Sequence, residues 1–175
     1  MIEYDADADQ RLLRRLFIAI SNGNEFEEGN EPSYPAVYAA QINGVMSVAA
    51  TNRLEKRSYY SSTGSHTEIA APGGDTREGN VIWQASISQS DASSFLVFPR
   101  FDRYQELNIQ GTSMASPHVA GIAALLVSRG VATPAAIESI LRQSVKDLGT
   151  PGKDNDFGYG LIQPFNALFG QGIRR

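Results

Sequence analysis

Gly111-Thr112-Ser113-Met114-Ala115-Ser116-Pro117-His118-Val119-Ala120-Gly121 is the stretch that decides how this chain is read. It sets a serine among small residues where a loop passes into an apolar helix. Residues 113–129 carry the longest helical pattern, with Val119, Ile122, Ala123, Leu126 and Val127 apolar and Gly130 placed as a C-terminal cap. A hydroxyl in the first turn of such a helix lies at its positive end, beside backbone N–H groups with no partner inside the helix. Such an end binds anions, which suits a nucleophile whose attack creates one.

Outward from that stretch, the pattern is that of an α/β protein. Residues 16–21 (Leu-Phe-Ile-Ala-Ile-Ser) form a near-continuous apolar run, as expected for a parallel strand covered on both faces. The run ends in Asn22-Gly23-Asn24, a turn at the carboxyl end of the strand, where open α/β sheets bind ligands. Residues 44–51 predict a second buried strand, and 67–71 a third, closed by Pro72-Gly73-Gly74. Between them, residues 25–35 are polar and predict a surface loop.

Downstream, Thr133-Pro134 is a helix start, an N-cap followed by proline at the first helical position. An amphipathic helix over 135–145, a turn-rich loop over 149–156 and a short helix over 164–168 follow. A further short helix is expected at 5–15. Residues 75–102 are the least regular part, with a strand at 81–85, a serine-rich piece and an apolar patch, Phe95-Leu96-Val97-Phe98, expected in the core. No repeat or linker divides the chain, so residues 1–175 are read as one α/β unit.

Composition narrows the function. The 175 residues carry a net charge of −4 with 42% hydrophobic and 19% charged residues, an ordinary globular balance without a basic patch for nucleic acid. With no cysteine, thiol catalysis, disulfides and cysteine metal sites are excluded. No apolar run approaches the ~18 residues of a membrane span. The first ten residues are acidic and lack a signal-peptide core, so an export signal, where one exists, lies outside this chain.

Among serine chemistries, a Gly-x-Ser-x-Gly elbow needs glycine where Ala115 stands, and a histidine downstream within reach. His118 lies five residues on, roughly 140° around the helix at 100° per residue, and cannot reach back to Ser113. A Ser-x-x-Lys site fails because Ser116 holds the third position. The other histidine, His66 in Gly64-Ser65-His66-Thr67, is expected to be a solvated loop residue.

The eleven quoted residues resemble, at every position, the nucleophile motif of the subtilisin-like serine peptidases (subtilases). Other segments match in the family's order. Residues 17–25 resemble the strand that ends in the oxyanion-hole asparagine, and Ser33-Tyr34-Pro35-Ala36 with 44–51 resemble the segment beyond it. Ser61-Ser62 with Ile69-Ala70-Ala71-Pro72-Gly73, and Phe157-Gly158-Tyr159-Gly160-Leu161-Ile162, resemble two later elements. The resemblance spans about residues 16 to 168 and corresponds to the C-terminal half of a subtilase catalytic domain.

It implies a three-layer parallel-sheet subtilisin-like fold, incomplete, with Ser113 as nucleophile and Asn24 as side-chain oxyanion donor. Ser21, Asn22, Gly23, Ser33 and Tyr34 would line the primary specificity pocket, made polar because Ser21-Asn22-Gly23-Asn24 replaces the family's usual Ala-Ala-Gly-Asn. The substrate would be a protein or peptide, and no cofactor is required. The carbonyls of Ala36, Tyr38 and Val45 match loosely the place where some subtilases hold a weak cation, so a structural calcium is a further expectation. Asp154 and Asp156 are read as solvated. Glu25, Glu27 and Glu28 are read as a solvated rim that favours basic substrates if it borders the cleft.

The family's Asp-(Thr/Ser)-Gly and His-Gly-Thr segments, which hold the catalytic acid and base, do not occur. Asp75-Thr76 is followed by Arg77 and comes after Asn24, out of order. Without a base Ser113 stays an ordinary alcohol, so the isolated chain is predicted to be inactive. It is also predicted to be marginally stable or self-associating, with a sheet edge and one face of the Ser113 helix uncovered. A complementary N-terminal half supplying Asp and His is the implied partner. An extracellular location follows only if the chain belongs to an exported subtilase. The rival expectation is a non-catalytic subtilase remnant or interaction module.

Overall fold

Three short parallel strands carry the site: β1 (Ile18–Ser21), β2 (Val45–Thr51) and β3 (Ile69–Pro72), in the order β1-β2-β3. Ile18 pairs with Val45, and Val48 pairs with both Ser21 and Ile69. The structure, a computed structural model, describes residues 16–89 and 99–170. The helix expected at 5–15, the part of the serine-rich piece beyond residue 89 and the patch at 95–98 lie outside the described residues.

All of β2 is buried, as its unbroken Val-Met-Ser-Val-Ala-Ala-Thr run requires. Met46, Val48 and Ala50 turn to one face with Ile69 and Ala71. There they meet helix α1 (Thr112–Ser128) through Ala115, Val119, Ile122 and Leu126, and helix α2 (Pro134–Ser144) through Ile137 and Leu141. A short α3 (Pro164–Phe169) completes this layer with Ala167. On the opposite face Ala49 and Ala70 lie under Phe157 and Leu148 of the closing loop. The three-layer plan is therefore present in incomplete form, with helices on one face of the sheet and a loop on the other.

Helix α2 begins as its sequence demands. The Thr133 hydroxyl accepts from the Ala136 N–H at 3.3 Å, and Pro134 takes the first helical position. Its polar side is tied down by ions. Glu68, 1% exposed, accepts from Arg142 of α2 and from Lys153, while Glu138 caps the Gly44 N–H at 2.8 Å and pairs with Arg142. Removing one member of such a buried set leaves an uncompensated charge, which costs several kcal/mol.

The two edges of the sheet differ. Beyond β3 the chain closes the edge itself: the Ala70 N–H donates to the Gly160 carbonyl and the Ile162 N–H to the Ala70 carbonyl, both at 2.9 Å. Beyond β1 no strand is paired among the described residues. Leu16 and Ile18 are each 42% exposed there, and Leu125 and Val127 of α1 are 51% and 56% exposed.

Residues 82–89 hold the expected strand, but it is longer than expected and has a mate. β4 (Ile82–Gln89) pairs antiparallel with β5 (Pro99–Ile109), from Ile82 opposite Ile109 to Gln89 opposite Pro99, with a register shift after Ile87. Residues 104–108 of β5 (Tyr-Gln-Glu-Leu-Asn) lack apolar alternation, because this ribbon exposes Tyr104 and Trp83 instead of packing a face on the core. No helix of the described residues is long and apolar enough to cross a membrane.

Candidate active site

The site forms where the carboxyl ends of β1 and β3 meet the first turn of α1. Gly111, with φ at 152°, donates its N–H to the Gly73 carbonyl at 2.9 Å. Gly73 must be glycine, since a Cβ there would stand 2.4 Å from Ala50 Cβ and 2.8 Å from the Gly111 oxygen. The buried Tyr60 hydroxyl holds this corner, 2.8 Å from the carbonyls of both Gly73 and Gly74. Burial pushes its pKa up to about 12, so it stays a protonated donor.

Helix α1 follows at once. The Ser116 hydroxyl donates to the Ala19 carbonyl at 2.9 Å and pins the helix to β1. Thr112, fully buried, is the central tie. Its N–H donates to Asn24 Oδ1 at 2.9 Å, and its hydroxyl lies 3.0 Å from the same oxygen and 3.3 Å from both Gly23 N and O. Ser113 comes next and is exposed.

That tie sets the orientation of the Asn24 amide. An N–H can only donate, so the atom facing Thr112 N is the carbonyl oxygen and the NH2 group points away from it. Asn24 is exposed, and its Nδ2 makes no hydrogen bond to a described residue. The Ser113 N–H, in the first helical turn, has no i−4 carbonyl within α1. Two donors thus lie on either side of the Thr112–Asn24 bond with an exposed hydroxyl, an arrangement suited to stabilise the oxyanion of a carbonyl that Ser113 attacks.

The other residues named from sequence fall around this centre in different ways. Gly23 and Ser33 are neighbours: a Cβ on Gly23 would lie 3.0 Å from Ser33 Cβ. Tyr34 is 68% exposed and tilts against Tyr38 at 5.6 Å between ring centroids. Ser21 is half-buried at the end of β1. Asn22 is wholly buried, its amide donating to the Ser62 carbonyl at 2.6 Å and lying 3.0 Å from Thr67 Oγ1, so its side chain supports the turn from behind.

Neither histidine is bonded to Ser113. His118 Nδ1 lies 2.8 Å from the Met114 carbonyl one turn back on α1. His66 is half-buried rather than solvated. Its Nε2 is buried without a partner, and burial, with Lys153 near, lowers its pKa. It lies beside Ser47, whose hydroxyl donates to its carbonyl from the sheet face opposite α1.

The acids of the 149–156 loop are not solvated throughout. Asp154 accepts N–H groups from Thr150, Asp156 and Phe157, and Asp156 pairs with Arg57 at 3.3 Å. No group of three or more His, Asp or Glu side chains gathers among the described residues.

Two residues escaped the sequence reading. Thr112 lies inside the quoted stretch, yet its role depends on Asn24, 88 positions away. Glu25 is not part of a solvated rim: its Oε2 accepts from the Asn24 N–H at 2.6 Å and from the Ser62 hydroxyl at 3.2 Å.

Comparison with known proteins bears on the family and the fold. The chain is 33% identical over 149 residues to the minor extracellular protease Epr of Bacillus subtilis, covering 85% of this chain and 19% of that protein. It is 33% identical over 143 residues to a thermostable alkaline protease of Halalkalibacterium halodurans, covering 79% and 32%. Among solved structures, a protease of Pseudoalteromonas arctica superposes with a TM-score of 0.68 at 32% identity, over 90% of this chain and 43% of that one. A lanthipeptide protease follows at 0.64 and 26%, over 94% and 57%. The chain thus spans about a fifth to a third of these two curated relatives and about half of the solved chains. The profile of the Subtilase family matches residues 2–160, and with that match, the parallel sheet and the Ser113 helix start in agreement, the chain belongs to the subtilase family.

Proposed function

We propose that this chain is the nucleophile-bearing half of a subtilisin-like serine endopeptidase. The observation that carries the reading is the bond from the Thr112 N–H to Asn24 Oδ1, which leaves the Asn24 NH2 and the Ser113 N–H free beside an exposed hydroxyl. Ser113 attacks a peptide carbonyl and an acyl-enzyme forms as the amine leaves. Water then releases the acid. The two free donors hold the oxyanion in both steps, and no cofactor enters the reaction.

The base and its orienting carboxylate come from a complementary N-terminal half, upstream in a longer protein or on a separate chain. The open edge of β1 and the uncovered side of α1 are where that half would pack, and the uncovered apolar residues Leu16, Ile18, Leu125 and Val127 support this. By the name of its relative Epr, such a protein would act outside the cell on protein or peptide substrates. A weak calcium site at the carbonyls of Ala36, Tyr38 and Val45 would be structural, with no part in the chemistry.

A fluorophosphonate probe tests the reading. It should label Ser113 in the presence of the Asp/His half and leave the 175-residue chain alone unlabelled. No labelling in the mixture would favour the second reading, a non-catalytic remnant. That alternative is supported by the engagement of His118 and His66 away from Ser113.

A further inference from the structure

Gly111 stands directly before Thr112 and Ser113 with φ at 152°, a region that favours glycine, and a Cβ there would meet nothing closer than Met114 Sδ at 3.5 Å. A residue with that freedom is a hinge unless the chain is tied on both sides of it. Beyond Gly111 the tie is Thr112, bonded to Asn24. Before it the tie is the half-buried side chain of Gln110. Its Oε1 accepts from the Thr76 N–H and its Nε2 donates to the Tyr59 hydroxyl, both at 2.6 Å. An N–H can face only the amide oxygen, so the donor and acceptor roles fix which way Gln110 is turned.

The partners of Gln110 are themselves held. Tyr59 is half-buried and meets Tyr60 edge-on at 5.2 Å between ring centroids. The Arg77 guanidinium lies 3.6 Å from the centroid of the Tyr59 ring, where the ring face attracts a cation. Arg77 also forks onto the Glu27 carboxylate at 2.5 and 2.6 Å, and Glu27 belongs to the short turn that follows Asn24. In the same turn the Phe26 N–H donates to the Tyr60 carbonyl at 3.2 Å. These contacts close a ring. From the Asn24 turn it runs through Glu27 and Arg77 to Tyr59 and Gln110, and the Thr112–Asn24 bond completes it. The Asn24 NH2 and the Ser113 N–H sit on the two arms of that ring, and donors to an oxyanion act only when both reach the same point.

We propose that Gln110 is a positioning residue for Ser113: clamped between the Thr76 N–H and the Tyr59 hydroxyl, it stops the Gly111 hinge from turning and keeps the Ser113 N–H in register with the Asn24 NH2. The catalytic consequence rests on the peptidase reading; the clamp itself does not. Gln110, Tyr59 and Arg77 all lie outside the stretch from Gly111 to Gly121, so the nucleophile motif alone does not supply this hold.

One arm of the test needs no catalysis. Hydrogen exchange of the Thr112 amide, which Asn24 Oδ1 protects, is measured in the 175-residue chain as wild type, Tyr59→Phe, Gln110→Met and Lys146→Met. Exchange is read relative to the amides of β2, which report any general loss of stability. Losing a hydrogen bond sets the expected rise at about 3- to 10-fold for Tyr59→Phe and Gln110→Met. Lys146→Met removes an exposed ion pair with Glu55 that is no part of the ring, and it should change nothing. Tyr59→Phe keeps the ring beneath Arg77 and removes only the acceptor, so the test survives should Gln110→Met fold poorly. No selective rise in Thr112 exchange overturns the clamp.

The second arm measures kcat and KM of the full-length or complemented protein on one peptide. Both variants should lower kcat by about 3- to 10-fold with KM nearly constant, and the double variant should match Gln110→Met because both changes break the same bond. Unchanged kcat, or losses that multiply in the double variant, overturns the positioning role while leaving the peptidase reading intact. A selective rise in Thr112 exchange with no hydrolysis by the wild type upholds the clamp and sinks the peptidase reading instead.

Discussion

Helices α1 and α2 lie in the same layer, and they are built for different surroundings. α2 is one-sided: Ile137 and Leu141 face the core while Ser139 and Gln143 face solvent, and Glu138 and Arg142 join an ionic cluster with Glu68. α1 buries Ala115, Val119, Ile122 and Leu126 on one side, but the opposite side also lacks charge. Pro117, Ala120, Gly121, Ala124 and Leu125 are exposed there, and nothing lies within 4 Å of the place where a Gly121 side chain would begin. Apart from Ser113, His118 and Ser128, the exposed side of α1 is made of small or apolar residues, the composition of a helix side that is usually covered. Among the described residues the apolar side of α2 is covered and the outer side of α1 is not, and the chain superposes on 43% of a solved family member.

The sharpest contrast lies in a serine on each helix. In the full-length or complemented protein, Ser113→Ala should lower turnover about 10⁶-fold, the magnitude established for subtilisin. Ser139→Ala on α2 should leave it unchanged, and equal effects would show that α1 holds no nucleophile. Asn24→Ala should cost about 10²- to 10³-fold in kcat, again the subtilisin magnitude, with KM nearly constant.

The uncovered side of α1 gives the next effect. Leu125→Ala should shift the stability of the isolated chain by no more than about 0.5 kcal/mol, as surface changes do. In the full-length protein it should cost about 2–5 kcal/mol as a core truncation. Equal small shifts in urea melts of both would mean that nothing covers α1.

For α2, Thr133→Ala removes a cap and should cost about 1 kcal/mol in either form, since that helix is self-contained. The smallest effect is a pH dependence. The folded pKa of His66 is lowered, so below the ordinary histidine value of about 6.5 the unfolded chain takes up a proton that the folded chain resists. The melting temperature should therefore fall as pH drops through that region, and His66→Gln should flatten the fall.

Much of this was legible in the sequence because the decisive signals are local. The apolar run ending at Ser21, the Thr133-Pro134 start and the eleven residues from Gly111 each declare a strand end, a cap or a helix start through neighbours a few positions apart. The β5 ribbon was not legible, since Tyr104 and its neighbours carry no apolar alternation and owe their conformation to pairing with β4. The anchoring of the Glu25 carboxylate was not legible either, because Ser62 holds it from 37 positions away.

The sequence by itself determined the family, and it marked Ser113 and Asn24 as the residues to look at. A nucleophile motif is a local pattern of small residues around a helix start, and such a pattern survives in one dimension. Only the tertiary structure decided which atom of Asn24 faces solvent, that Thr112 orients it, and that the outer side of α1 is exposed among the described residues. Hydrogen-bond direction and burial are properties of groups brought together across 88 residues of chain, and no local pattern records them.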